Sequence, residues 1–290
     1  MTPLRIGFLL PRYGEPNHSH MPVVMKELSQ RGVILDVIQP VDRAVDLSAV
    51  RVEHDLYVLK RTNGLALSIA GALHAQGAAI VNPYPVTVAL SDKIITSRML
   101  QAAGIPTPAT FVASRPNCLA SLLDEGPLVV KPYQGSEGYG VRVIRTVADL
   151  TAMPAGKEPV LAQRYHPPEG RDRKIYSIGG RLFGVKKIFP ARTQAEKHGE
   201  PFTPAPELCE IALRCGQTFG IDLYGVDIIE SGGQPYVVDM CSMPGFKGVP
   251  DAASHLASYF HAYAAAQRAD RGRPLSESAP VETLSKAGLR

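Results

Sequence analysis

Cysteine is scarce: the 290 residues hold four, Cys118, Cys209, Cys215 and Cys241, and none forms a CxxC pair. A zinc-finger organisation is thereby excluded, and reduced thiols in a cytoplasmic protein are expected. Cys209 and Cys215, six apart in a predicted helix, fall on different faces. Long apolar runs are missing too, and none approaches the roughly 18 residues of a membrane span. Ile6–Leu10 is apolar, but Pro11 ends it too early for a signal-peptide core and no small-residue cleavage site follows, which argues against secretion. Nor is there a large excess of one charge. Lys and Arg number 31 and Asp and Glu 27, leaving +4, too little to argue for nucleic acid or membrane partners. What is present is a globular composition, 45% hydrophobic and 20% charged. At roughly 100–200 residues per domain, this length favours two or three compact units.

The first part alternates strands and helices. Strands are expected at 5–10, 33–38, 55–59 and 78–81, and helices at 22–31 and 65–76, closed by Gly32 and Gly77. That alternation implies a parallel sheet covered by helices, with ligands beyond the carboxyl ends of its strands. The loop Pro11–His20, with Arg12, Glu15, His18 and His20, stands at such an end, as a substrate loop or simply a polar one. After the break at Asn82–Pro85 one helix is expected to run to Ala103, stopped by Gly104–Pro108. The chain then changes style, with strands at 128–131, 140–145, 160–164, 174–178 and 182–188 that suit an antiparallel sheet. Pro206–Phe219 is an amphipathic helix, with Leu208, Ile211, Ala212, Cys215 and Phe219 on one face. Strands 224–230 and 235–240 flank Ser231–Gln234, a hairpin signal, and a last helix is expected over 252–267. Residues 268–290, poor in large apolar side chains, read as a disordered tail.

Three features could carry chemistry. Lys131-Pro-Tyr-Gln-Gly-Ser-Glu-Gly-Tyr-Gly140 places three glycines within six positions after a strand that ends in lysine. Backbone amides of such a loop can approach a ligand closely and form a concave anion site, although a glycine loop between strands can equally be a long hairpin. It is neither a Walker loop nor a dinucleotide fingerprint. The second feature is the hairpin carrying Asp227, Asp239 and Cys241. With the turn at Gly232–Gly233, Asp227 falls roughly opposite Asp239, and two facing carboxylates suit a hard divalent ion or are two surface acids that happen to meet. Cys241 is the odd member, because a thiol is a poor Mg²⁺ ligand. The third is a basic series, Arg171, Arg173, Lys174, Arg181, Lys186 and Lys187, which could line an anion cleft or be a solvated face.

Together these features resemble the ATP-grasp superfamily, with its pieces in order: Leu90-Ser-Asp-Lys93, Val129-Val-Lys131, the glycine loop, Val160-Leu-Ala-Gln-Arg-Tyr165, Gly225-Val-Asp227 and Val238-Asp-Met-Cys-Ser-Met-Pro-Gly-Phe-Lys-Gly248. The likeness is greatest to RimK-type glutamate ligases, and extends to inositol-phosphate kinases. It implies mixed α/β and α+β architecture: a Rossmann-like pre-ATP-grasp domain over 1–84, an ATP-grasp domain of two α+β subdomains over 85–267, and the tail. By the same resemblance, Lys93 and Lys131 would contact the phosphates of ATP, under a glycine loop containing Gly135, Ser136, Gly138 and Gly140. Backbone groups of Gln163, Arg164 and Tyr165 would meet adenine. Asp227, Asp239 and Cys241 would occupy the positions of the ligands for one or two Mg²⁺ (or Mn²⁺) ions. Lys186 or Lys187 would act at the γ-phosphate, and Lys174 would stand where the ligases' arginine grips the acyl phosphate.

The resemblance further implies a ligase that phosphorylates a carboxylate and lets an amine attack the acyl phosphate. Its substrate would be an anionic amino acid, peptide or protein, or another small molecule. A homodimer, common among such proteins, is possible; nucleic acid and membrane partners are not expected. Two departures point toward the kinases: Asp239-Met-Cys241 stands where ligases carry Glu-x-Asn, and Asp172-Arg-Lys174 stands where they carry Asp-x-Arg, a non-conservative loss of a forked guanidinium. A kinase acting on a polyol hydroxyl and a non-catalytic nucleotide-binding protein are therefore the alternatives.

Overall fold

Residues Arg5–Leu9 (β1) and Leu56–Leu59 (β3) are apolar and buried almost end to end, as strands covered on both faces must be. The computed structural model describes residues 2–11, 18–39, 44–60, 64–135, 138–154, 158–189, 191 and 193–271. In it these two strands form the centre of a parallel sheet, with Ile34–Ile38 (β2) outside β1 and Ile80–Val81 (β4) outside β3. Helices Met21–Gln30 (α1) and Gly64–Ala75 (α2) connect the strands. Met21, Val24 and Leu28 form the buried stripe of α1.

The helix expected to run unbroken to Ala103 is two, Tyr84–Ser91 (α3) and Lys93–Ala102 (α4). The break is chemical. Asp92 leaves the helical conformation and its carboxylate accepts from the amides of Ile94 (2.8 Å) and Ile95 (3.2 Å), capping a new helix whose first residue is Lys93.

A small antiparallel sheet follows, from Thr110–Ala113 (β5), Leu128–Pro132 (β6), Arg142–Ile144 (β7) and Val160–Arg164 (β8), in the order β5-β8-β6-β7. A 3₁₀ segment, Pro116–Glu125, and a short helix, Val147–Thr151 (α5), supply Leu119 and Leu150 to its core.

The largest sheet is antiparallel and built from Asp172–Ile178 (β9), Arg181–Lys187 (β10), Glu200–Phe202 (β11), Tyr224–Ser231 (β12) and Gln234–Cys241 (β13). Its order is β11-β10-β9-β12-β13. Gln194–His198 (α6) precedes β11. Helix α7 (Pro206–Phe219) covers the back with the stripe read from the sequence, and Gly220 closes it at φ 63°. The packing is close at Gly216, where a Cβ would fall 2.5 Å from the Tyr224 ring, while the Tyr224 hydroxyl donates to the Ala212 carbonyl at 2.7 Å.

The front of this sheet, through Tyr176, Ile178 and Val185, shares one core with Phe8, Leu10 and Val24 of the first layer and Leu256 and Phe260 of the last helix, Ala252–Arg271 (α8). The expected tail therefore begins too early. Residues 268–271 continue α8, where Arg268 is held by the Asp55 carboxylate and by the carbonyls of Thr2 (2.6 Å) and Pro3 (2.8 Å). The rest of the tail, 272–290, lies outside the described residues. Among the described residues no helix is long and apolar enough to cross a membrane.

Candidate active site

The site is built on the front face of the largest sheet, and strand register assembles it. Asp227 pairs with Lys174 of β9 on one side and Asp239 of β13 on the other. Two residues along β9, Asp172 pairs with Lys187 of β10. Side chains alternate across a strand, so Asp172, Lys174, Lys187, Asp227, Asp239 and Cys241 share one face. Ile175, Val226 and Met240 point backward into the α7 core. The same alternation puts Lys186 on the opposite face from Lys187, where its ammonium lies 5.6 Å from the Phe202 ring centroid. The expected grouping of Lys174 with Lys186 and Lys187 in one cleft is thus corrected to Lys174 with Lys187.

The Lys174 ammonium donates to both oxygens of Asp227, at 2.8 and 2.7 Å. Burial opposes the lysine's charge, but the Asp227 carboxylate reverses that and its pKa ends above the ordinary lysine range. Lys187 is tied instead to the carbonyls of Lys197 (2.6 Å), His198 (2.7 Å) and Lys247 (2.9 Å). Burial, then the charge of Lys174, brings it down to about 8.

Beside this row the β13 ladder slips. Asp227 faces Asp239 and Ile228 faces Val237, so Val238 is an extra residue, a bulge. Its carbonyl accepts from the Lys131 ammonium at 2.8 Å. Lys131, the last lysine of β6, is only 7% exposed. Burial lowers its pKa, offset by Asp239 and Asp227, with Lys93 adding to the lowering. Lys93 reaches the same place from α4, 3.3 Å from Asp239 and 2.9 Å from the Gly135 carbonyl. Two lysines thus bracket one carboxylate under the glycine loop. A buried ammonium that spends one donor on a carbonyl retains others for an anion. Gly138 and Gly140 adopt φ 75°, and a Cβ at Gly138 would meet the Phe189 ring at 2.5 Å. Ser136 lies outside the described residues, as do Arg12 and Glu15 of the first loop.

The expected adenine strand is differently occupied. The Arg164 amide donates to Ala109 O (2.8 Å) and the Tyr165 amide to Pro127 O (3.0 Å). The Arg164 guanidinium is committed to the carbonyls of Leu122 and Gly126 and to Glu125. The Gln163 side chain is buried beside Thr110. The Arg164 and Tyr165 amides are thus used within the fold, and the next residue, His166, follows the strand and stacks its ring on Tyr236, centroids 4.1 Å apart.

As for a metal, Asp227 and Asp239 offer hard oxygens from adjacent strands, a pair that fits Mg²⁺ or Mn²⁺. Among the described residues no three His, Cys, Asp or Glu groups are placed to hold a metal. Cys241 does not complete a set: its Sγ lies 3.7 Å from the Gly225 carbonyl, and burial pushes its thiol pKa up.

Asp172 is the most displaced acid of the face, pushed up to about 6 by burial first and by Asp227 second. Its folded pKa exceeds the ordinary 3.8. The native state therefore binds more protons than the unfolded one between about pH 4 and 6, stability falls as pH rises through that window, and the cost is complete above it. D172N is expected to melt about 3 °C above the unsubstituted protein at pH 8 and to show no gain at pH 3, in parallel thermal melts.

Sequence reasoning gave no role to Lys60. It stands just past the apolar strand β3, where a parallel sheet binds ligands, and that position was the available signal. Its ammonium crosses to the loop after β13, donating to Met243 O and Pro244 O, both at 2.7 Å. Asn82 makes a second such tie, to the carbonyls of Leu223 (2.6 Å) and Ser242.

Comparison with known proteins agrees with this architecture. The family model for the RimK-like ATP-grasp domain matches residues 90–259, more than half of the chain. A probable alpha-L-glutamate ligase 2 of Shewanella frigidimarina is 30% identical over 175 residues, 56% of this chain and 59% of the relative. The chain thus spans about three fifths of the length of the first curated relatives it matches. A probable alpha-L-glutamate ligase of Citrobacter koseri is 26% identical over 248 residues, 76% of this chain and 82% of that protein. Among solved structures, a RimK domain ATP-grasp protein of Sphaerobacter thermophilus superposes with TM-score 0.69 at 21% identity, over 88% of this chain and 98% of that one. The D-alanine–D-alanine ligase of Bacillus anthracis, complexed with ATP, does so with TM-score 0.69 at 19% identity, over 93% and 100%. With a parallel first sheet, two antiparallel sheets and that family match, the chain belongs to the RimK-like ATP-grasp family, within an ATP-grasp fold.

Proposed function

We propose that the chain is an ATP-dependent carboxylate–amine ligase that transfers the γ-phosphoryl group of ATP to a carboxylate and lets an amine displace phosphate from the acyl phosphate. The observation that carries this reading is the convergence of Lys93 and the buried Lys131 beside Asp239, itself opposite Asp227. Lys93 and Lys131 would neutralise the phosphates, and the amides of the glycine loop would cover them. The amide of His166 would meet the nucleotide base. Asp227 and Asp239 would hold Mg²⁺, which when bound offsets phosphate charge during transfer. In that reading Lys174 orients Asp227 and offsets its charge, and Lys187 anchors the loop that closes the site. The alpha-L-glutamate ligases among its relatives support glutamate as one substrate, and the solved D-alanine–D-alanine ligase and the ligase bound to a precursor peptide support amino-acid and peptide chemistry more broadly.

The test is turnover of ATP with Mg²⁺, hydroxylamine and L-glutamate or a glutamate-ending peptide. Hydroxylamine intercepts an acyl phosphate as a hydroxamate, so hydroxamate and ADP are expected in equal amounts. ADP formed on a polyol, with no hydroxamate from any carboxylate, would replace the ligase by a kinase, the reading that Lys174 in place of an arginine favours.

A further inference from the structure

Asp227 and Asp239 face each other across one ladder, but they are not equally open to a metal ion. The Lys174 ammonium lies across Asp227, 2.8 Å from one oxygen and 2.7 Å from the other, and both side chains are largely shielded from water. Asp239 is held more loosely. One of its oxygens lies 3.3 Å from the Lys93 ammonium, and the other accepts from the Met240 amide at 3.0 Å. Cys241, next along the same face, offers no oxygen. Its thiol is turned to the Gly225 carbonyl, 3.7 Å away.

A divalent ion needs carboxylate charge that no fixed cation has taken. Each oxygen of Asp227 keeps a further lone pair, enough for one ion shared with Asp239. A second ion would have to share Asp227 with the Lys174 ammonium, cation beside cation in a partly desolvated place. It would also find only a thiol, a poor ligand for Mg²⁺, at position 241. The charge of the whole face argues in the same direction. Lys93, Lys131, Lys174 and Lys187 stand against Asp172, Asp227 and Asp239, so positive charge is in surplus. One divalent ion leaves ATP anionic and matched to that surplus. Two would neutralise the nucleotide and leave the surplus uncompensated.

We propose that the chain holds one divalent ion per bound nucleotide, at Asp227 and Asp239, and that the Lys174 ammonium takes the place of a second. Lys174 is then a fixed counter-ion, present before any metal arrives. The proposal rests on the nucleotide site of the ligase reading, and it holds equally for a kinase.

Equilibrium dialysis of the full chain against Mn²⁺ and saturating AMP-PNP counts the ions, with manganese and nucleotide measured in the same chamber. One bound Mn²⁺ per bound AMP-PNP is expected in the unsubstituted protein. The same ratio is expected in C241N, which supplies an amide oxygen but keeps the lysine. K174Q/C241N, which removes the fixed charge from Asp227, is expected to hold two. Two ions per nucleotide in the unsubstituted protein would overturn the proposal. So would two in C241N, because the thiol alone would then account for the missing ion. One in K174Q/C241N would also overturn it, since the lysine would not be what excludes an ion. A Mn²⁺ titration without nucleotide, followed by the paramagnetic resonance of the free ion, gives a second readout. K174Q, whose amide still donates to Asp227, is expected to bind Mn²⁺ about tenfold or more tightly than the unsubstituted protein, the scale of one charge-assisted hydrogen bond. Equal affinity would overturn the role of Lys174. Failure of AMP-PNP to bind the unsubstituted protein would overturn the nucleotide reading alone, because the titration without nucleotide still decides whether Lys174 excludes an ion.

Discussion

Replacing Asp239 by Asn is expected to lower ATP-dependent turnover about 10³-fold while moving the melting temperature by less than about 2 °C. The first part follows from charge. On the proposed reading Asp239 is the carboxylate that offsets both the metal and the two lysines at the phosphates, and removing one preorganised electrostatic partner of a developing charge costs about 10²–10³ in rate. Losing the metal's anchoring oxygen adds to that. The second part follows from exposure. The Asp239 side chain is 34% exposed, its contact with Lys93 is 3.3 Å, and Lys93 keeps the Gly135 carbonyl as an alternative acceptor. Pairs of that kind contribute about 1 kcal/mol or less. Initial rates with saturating Mg-ATP, read beside a thermal melt, separate the two effects. More than a tenth of the rate surviving in D239N would remove Asp239 from the chemistry.

Lys174 and Asp227 should behave in the opposite sense, as a pair on which stability depends. The ammonium contacts both carboxylate oxygens, and the side chains are only 16% and 32% exposed. In K174M, Asp227 would stand without a counter-charge, next to Asp172, which its charge already pushes upward. Breaking a buried pair by removing one partner costs about 3–5 kcal/mol, and partial exposure here reduces that to about 2–3 kcal/mol. The melting temperature should fall by about 6 °C. D227N should cost less, because the amide oxygen still accepts from Lys174. The double variant K174M/D227N should recover about 1 kcal/mol or more of the sum, since the remaining partner is no longer charged. Mg²⁺ with AMP-PNP should also restore part of the K174M loss, because a cation bound at Asp227 takes over the missing charge. Strictly additive losses in the cycle would show that the two residues do not act as a pair.

Much of the site was legible along the chain, for a definite reason. Side chains alternate on strands, and the hairpin closes at Gly232–Gly233, so counting back from the turn brings Asp227 to within one residue of Asp239, and the bulge at Val238 supplies the last step. The stripe of α7 likewise needs only the period of a helix. Errors arose where one side chain overrode a pattern. Asp92 split a helix by taking two amides for itself, and Arg268 extended α8 by finding Asp55 in the first layer. The choice between Lys186 and Lys187 also needed the true register of β10, which no spacing rule supplies.

The residues themselves determined the order of elements, the glycine loop behind Lys131, the hairpin that carries the two carboxylates and the family, because each depends on local period, turn chemistry or motif order. Tertiary structure alone decided what surrounds them. The bulge at Val238 turns one carbonyl toward Lys131, and Lys174 closes on Asp227 from a strand 53 positions away. Lys60 reaches across to a loop 183 residues further along. Such approaches depend on how sheets dock over a shared apolar core. Burying that core sets the docking, and the charges carried on its margin meet as a consequence.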